Sequence, residues 1–190
     1  MYTRLVPAAA LALTTTALLA APAHAATTYH SGPIGYTCTF PGSPVLPVTL
    51  VQQFTGPDTV APGATFVLSG VSGSVTLSPA ARAFFTDAGN DGVLGGFTVA
   101  FVEAANAPRS STTAAPNVPA TWGPDPVVID FHNGKQTHQA GASGPITFHA
   151  GRLGMALSLH RPDGAPSGPS LACAQVAGQD NAFTPDLSIG

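Results

Sequence analysis

The chain has 190 residues, with 6 Lys plus Arg and 9 Asp plus Glu, so that 8% of it is charged against 44% apolar. Twenty-one glycines and nineteen prolines punctuate it too often for a coiled coil or helical bundle, and it is too apolar for a charged disordered tail. A formal charge of −3 leaves no basic footprint for nucleic acid or an anionic membrane surface.

Residues 1–25 read as a signal peptide. Arg4 sits in a short n-region, Leu5 to Ala21 is a thin apolar stretch broken by Pro7 and Thr14-Thr15-Thr16, and Ala23-His24-Ala25 supplies small residues at −3 and −1 of a cleavage site. No other segment approaches the ~20 apolar residues of a membrane span. The expected product is a soluble exported domain over 26–190, secreted and free or associated with the cell wall. Its two cysteines, Cys38 and Cys173, lie near opposite ends and in an oxidising compartment most simply form one disulfide. Neither has the CxxC or spaced-His partner that a metal site needs.

The elements that follow are mostly strands. Tyr36, Cys38 and Phe40 share one face of the first, Val45 to Phe54 reads as the second, and Phe66 to Val71 as the third, interrupted by Gly70 and Gly73 before Val75-Thr76-Leu77. Tyr29 falls before the expected first strand. One short helix is expected from the Ser78 N-cap and Pro79 at N1 through Thr86, turning Ala81, Phe84 and Phe85 toward a core. Phe97, Val99 and Phe101 alternate against Thr98, Ala100 and Val102 in a further strand. Residues 105–121 have no period and read as a long surface loop.

Two hairpins are expected in the last third. Asn133-Gly134 is a strong two-residue turn signal, pairing His132 with Lys135 and Ile129 with His138. A second turn at Ala150-Gly151 puts Ile146, Phe148, Leu153, Met155, Leu157 and Leu159 on one buried face and leaves His149, Arg152 and His160 outside. A strand around Cys173 completes an all-β, immunoglobulin-like antiparallel sandwich of about eight strands in one domain.

Chemistry is sparse. His132, His138, His149 and His160 fall within 29 residues and raise the alternative of a metal site on surface histidines, with His132, His149 and His160 as candidate ligands; their spacing matches no His-x-His or HExxH device. Asp87 to Gly92 resembles a calcium loop but has Gly89 at position three and Thr98 at twelve, and reads better as a polar turn. There is no GxSxG motif, and Glu103 is the lone glutamate; Asp58, Asp125, Asp163 and Asp186 adjoin Pro or Gly, where acids serve turns. Trp122, the single tryptophan, is a candidate partner anchor, or else packs over the sandwich edge.

Tyr36-Thr37-Cys38-Thr39-Phe40-Pro41, then Val60-Ala61-Pro62-Gly63 and Phe66, then Val75-Thr76-Leu77-Ser78-Pro79, an Asp163-Gly164 turn and Leu171-Ala172-Cys173 together resemble the secreted actinobacterial domain-of-unknown-function family 6801 over about residues 34–177. The resemblance implies an exported β-sandwich with a terminal-strand disulfide and supplies no catalytic residues. The resulting expectation is a non-catalytic binding or structural module without a cofactor, its partner a protein or a cell-wall component. A small secreted hydrolase or hydrolase inhibitor is the remaining alternative.

Overall fold

The structure is a computed structural model that describes residues 25–39, 44–123, 126–165 and 167–190. The reading of residues 1–25 as a signal peptide thus lies, but for Ala25, outside the described residues, as do Phe40 and Asp125. Fourteen strands and one helix follow in order: β1 Ala26–Ser31, β2 Ile34–Thr39, β3 Leu46–Pro57, β4 Thr59–Val60, β5 Thr65–Leu77, α1 Pro79–Asp87, β6 Gly92–Ala105, β7 Arg109–Thr113, β8 Ala115–Pro116, β9 Ala120–Thr121, β10 Val128–Gln139, β11 Pro145–His160, β12 Ser170–Gln175, β13 Phe183–Thr184 and β14 Leu187–Ile189. The fold is all-β and sandwich-like. The excess over eight strands comes largely from two- and three-residue pairings at its margins.

The hydrogen-bonded order runs β6-β11-β12-β2-β3-β5-β10-β7, with β1 beside β2 along the same edge of β3. β8 pairs with β6, and the next residue, Asn117, bridges Phe131 of β10. The sheet is thereby tied back onto its own start, and its inner faces enclose one core. Cys38 and Cys173 are directly opposed on β2 and β12 and form the disulfide. No helix among the described residues is long and apolar enough to cross a membrane.

The helix follows from its cap. Ser78 accepts from the Ala81 amide at 3.2 Å, Pro79 opens the first turn, and Gly89 at φ +82° lets the last carbonyls be satisfied in a left-handed exit. Ala81 and Phe85 are buried beneath it.

Four local expectations are corrected. The Asn133-Gly134 hairpin is absent, because β10 runs straight through it. A type I′ turn needs positive φ at both central residues, and of the two only Asn133 has it, at 65°. The left-handed residue makes a bulge instead, with the register against β5 shifting between Phe131 and Gly134. The Ala150-Gly151 hairpin is likewise a bulge inside continuous β11: Ala150 faces Val102 and Leu153 faces Ala100. The six expected apolar residues of that face are nevertheless all buried. The 105–121 loop contains β7, β8 and β9; it lacks a period because Arg109–Thr113 is an edge strand that adds backbone, not side chains, to the core. Tyr29, placed outside the fold by the sequence, is fully buried on β1.

Two kinds of packing fill the interior. At one end Tyr29, Phe54, Phe148 and Phe183 lie with ring centroids 4.9–5.2 Å apart, and Phe66 stacks on His138 at 5.6 Å. In the middle, β6 lacks a strand partner along one edge at Ala100 and Val102. Gln136 takes the partner's place. Its Nε2 donates to Ala100 O at 2.9 Å and its Oε1 accepts from Val102 N at 3.1 Å, as a neighbouring peptide would. Gln52 adds a second donor to Ala100 O at 3.1 Å, and Thr98 donates to Asn117 Oδ1 at 2.6 Å. Burial pushes the Tyr29 and Tyr36 hydroxyls up to about 12, with Asp58 and Asp186 adding to the shift at Tyr29; both donate to backbone carbonyls, Pro57 and Gly151.

Candidate functional site

The end of the molecule under α1 collects most of the accessible relief. β11 delivers Leu159 and His160 beside Val93 and Gly92 of β6, and β9 brings Ala120 and Thr121 to the other side of the same two residues. A glycine is required at 92, since a Cβ there would lie 2.7 Å from Ala120 O. His160 and Thr121 therefore flank a strand that carries no side chain between them. A groove of about 220 Å³ opens there, lined by Leu94, Pro119, Thr121 and His160. A second, of about 130 Å³, lies between Phe84, Phe85, Asn90, Leu159 and Pro169. A third, of about 360 Å³, shares Leu94, Leu159 and Ser167 with its neighbours. Leu94 stands between the first and the third, 58% exposed. A further groove of about 280 Å³, along Pro47, Thr49, Thr76 and Pro126, lies at the start of α1, against Ser78 and Pro79.

The rim is charged and paired. His160 Nδ1 meets Asp91 Oδ1 at 2.5 Å, both side chains nearly half exposed. Arg161 grips both oxygens of Asp163 at 3.1 and 2.9 Å and donates to the Ala88 carbonyl, which ties the 161–163 turn to the end of α1. The Arg161 hydrogen bonds hold the Asp163 carboxyl below the usual carboxylate range. Asp91 is engaged by His160, so the calcium-like Asp87–Gly92 segment serves as the polar turn that ends the helix.

The candidate residues from the sequence are dispersed. His149 and His160 lie eleven positions apart on β11, roughly 30–35 Å at strand rise, and His132 is exposed beside the β10 bulge. Among the described residues no three His, Cys, Asp or Glu side chains converge on a common point. His149 binds Asn181 Oδ1 at 3.3 Å. His138 is fully buried, with Nδ1 3.0 Å from Ala107 O. A carbonyl only accepts, so Nδ1 carries the proton and Nε2 is bare, without a partner. Burial pushes this imidazole below its ordinary value, Arg109 adds to the effect, and the Ala107 bond and Glu103 oppose it. Trp122 is half-buried, its ring 6.0 Å from Phe85 and its amide on Asp91 O; it packs α1 against β9.

Two features escaped the sequence. Asp91 and His160 are 69 positions apart, with no local pattern to join them. Phe97, 57% exposed, points outward while Thr98, Ala100 and Val102 face the core, the reverse of what side-chain size suggests. The Gly95-Gly96 pair before Phe97 is the one local sign of an irregular strand.

Residues 35–184 match the model of a family whose description is Family of unknown function (DUF6801). No curated protein and no solved structure matches the chain.

Proposed function

We propose, from the premise that the chain belongs to this DUF6801 family, that it is an exported, non-catalytic binding module acting at the cell envelope or in the medium. The single observation that carries the reading is the set of three adjoining grooves, two of them walled by exposed Leu94 and the third joined through Leu159 and Ser167, with apolar walls and a rim of paired Asp91–His160 and Arg161–Asp163 side chains. Such a surface suits recognition through shape and apolar contact. Export is supported by the amino-terminal segment with its A-x-A pattern and by the disulfide, which persists in oxidising compartments.

Co-sedimentation of the purified protein with actinobacterial cell walls tests the reading. Saturable pelleting in the micromolar range is expected, weakened tenfold or more by Leu94→Asp. Failure of the unmodified protein to pellet at any concentration removes the envelope-binding function.

A further inference from the structure

Outside the grooves, the outer face of β6, β11 and β12 is unusually bare. Cross-strand neighbours share a face, so the register defines two rows on it. Pro116, Phe97, Ala156 and Ser170 form one row; Val99, Gly154, Ala172 and Thr39 form the next. Neither row contains a charge, and the single large side chain well exposed in them is Phe97. Its neighbours are small, so the ring stands above a flat floor of alanine and glycine.

Charge appears at the two ends of this strip, with opposite sign. At the β11 bulge stand Arg152, exposed and without an ion-pair partner among the described residues, and Arg109, which is paired to Glu103 at 3.0 Å. Beyond the other end lie Asp87 and Asp91, the latter on His160, with Arg82 donating to the Gly123 carbonyl and Arg161 paired to Asp163, so that acids outnumber arginines there by one. The face is therefore complementary to itself when turned end for end, which is the condition for an isologous contact.

We propose that a second copy of this chain docks on this face, with β6 of one copy antiparallel to β6 of the other and the Arg152 end of each over the Asp91 end of its mate. The antiparallel sense is chosen by charge, since the parallel sense sets Arg152 against Arg152. Four strands at about 4.8 Å spacing and eight residues at about 3.3 Å rise give roughly 450 Å² a side. The total of about 900 Å² is at the low end for specific interfaces, so the dimer is a dissociating one that forms in the micromolar range or above. The Asp91 end of the strip is also the rim of the Leu94 grooves, and Ser158, two positions beyond Ala156 on the same outward row, lines one of them, so the mate covers part of that surface.

Sedimentation velocity of the purified protein from 1 µM to 1 mM reads this out. A concentration-dependent shift from monomer to dimer is expected, with Phe97→Ser raising the dissociation constant at least tenfold. Ala156→Glu is the second variant, on the neighbouring strand, and should act alike. Arg152→Asp should weaken association and Asp91→Arg in the same chain should restore it. A monomer throughout the range overturns the proposal, and so does self-association indifferent to both face variants. Failure of the double charge exchange to restore dimerisation overturns the antiparallel docking. A protein that stays monomeric yet loses cell-wall pelleting with Phe97→Ser assigns the face to a wall polymer instead.

Discussion

The aromatic end of the core and its glutamine-lined middle solve different problems. Where Tyr29, Phe54, Phe148 and Phe183 meet, every strand has its neighbours and the remaining task is to fill volume, which rings do with large apolar area and offset or edge-on contacts. In the middle, volume is not the difficulty. An edge of β6 would be buried without a partner strand, and the Gln136 amide stands in for the missing peptide. Ring packing degrades gradually as atoms are removed. An amide bridge is present or absent.

That difference can be broken most forcefully from the aromatic side. Phe54→Ala is expected to cost about 3–5 kcal/mol by leaving a cavity among three rings, while Phe54→Leu keeps most of the volume and should cost clearly less; equilibrium denaturation of both variants measures the gradient. Gln136→Leu preserves size almost as well, yet should cost about 1–3 kcal/mol, because the Val102 amide is left buried with nothing to donate to. If Gln136→Leu proves neutral, the edge is being served by water, and the contrast between the two regions falls.

His138 sharpens the comparison, since it stacks with the rings but carries a polar edge. Its folded-state value is depressed by burial, so the neutral ring contributes stability that is fully present above the unfolded value of about 6.5 and is lost as pH falls through that value toward the folded one. The loss should reach at most about 1.4 kcal/mol per pH unit below that point. Denaturation midpoints at pH 7.5 and 5.0 should diverge in the unmodified protein and converge in His138→Leu. The smallest effect belongs to the helix, where Ser78→Ala should cost about 1 kcal/mol through loss of the cap on the Ala81 amide, read as a shift in thermal midpoint.

Much of the fold was legible because local chemistry and tertiary outcome agree. The Ser78-Pro79 helix start, the alternation through β3 and β5, and the cysteine pairing all follow from residues that act over short range or have one available partner. Both failed hairpins have one cause. Apolar phase switches from Phe131 to Gly134 in β10, and from Ala150 to Leu153 in β11. A two-residue turn and a bulge produce the same switch, and the choice between them rests on whether the chain reverses, which is decided by partners far away. The candidate site was the least legible part. Phe97 is exposed because β6 turns its small residues inward to meet Gln136 and Gln52, Leu94 because it is the extra residue where the register against β11 shifts between Ser158 and Leu159, and Asp91 finds His160 only through the β6–β11 register. No window of sequence contains either fact.

The pairing of β2 with β12 places a strand near the beginning of the chain beside one near its end, 135 positions away at the disulfide. Such a sheet has no partial version in which β2 is satisfied on both edges before Cys173 is available, so folding must wait for nearly the entire chain. Closure over that separation is slow compared with local structure, on the order of milliseconds to seconds for β-topologies. During the interval Cys38 and Cys173 are still thiols and the β2 edge that will meet β12 is open. The disulfide is therefore a late lock, set on a sheet that has already brought its two ends together.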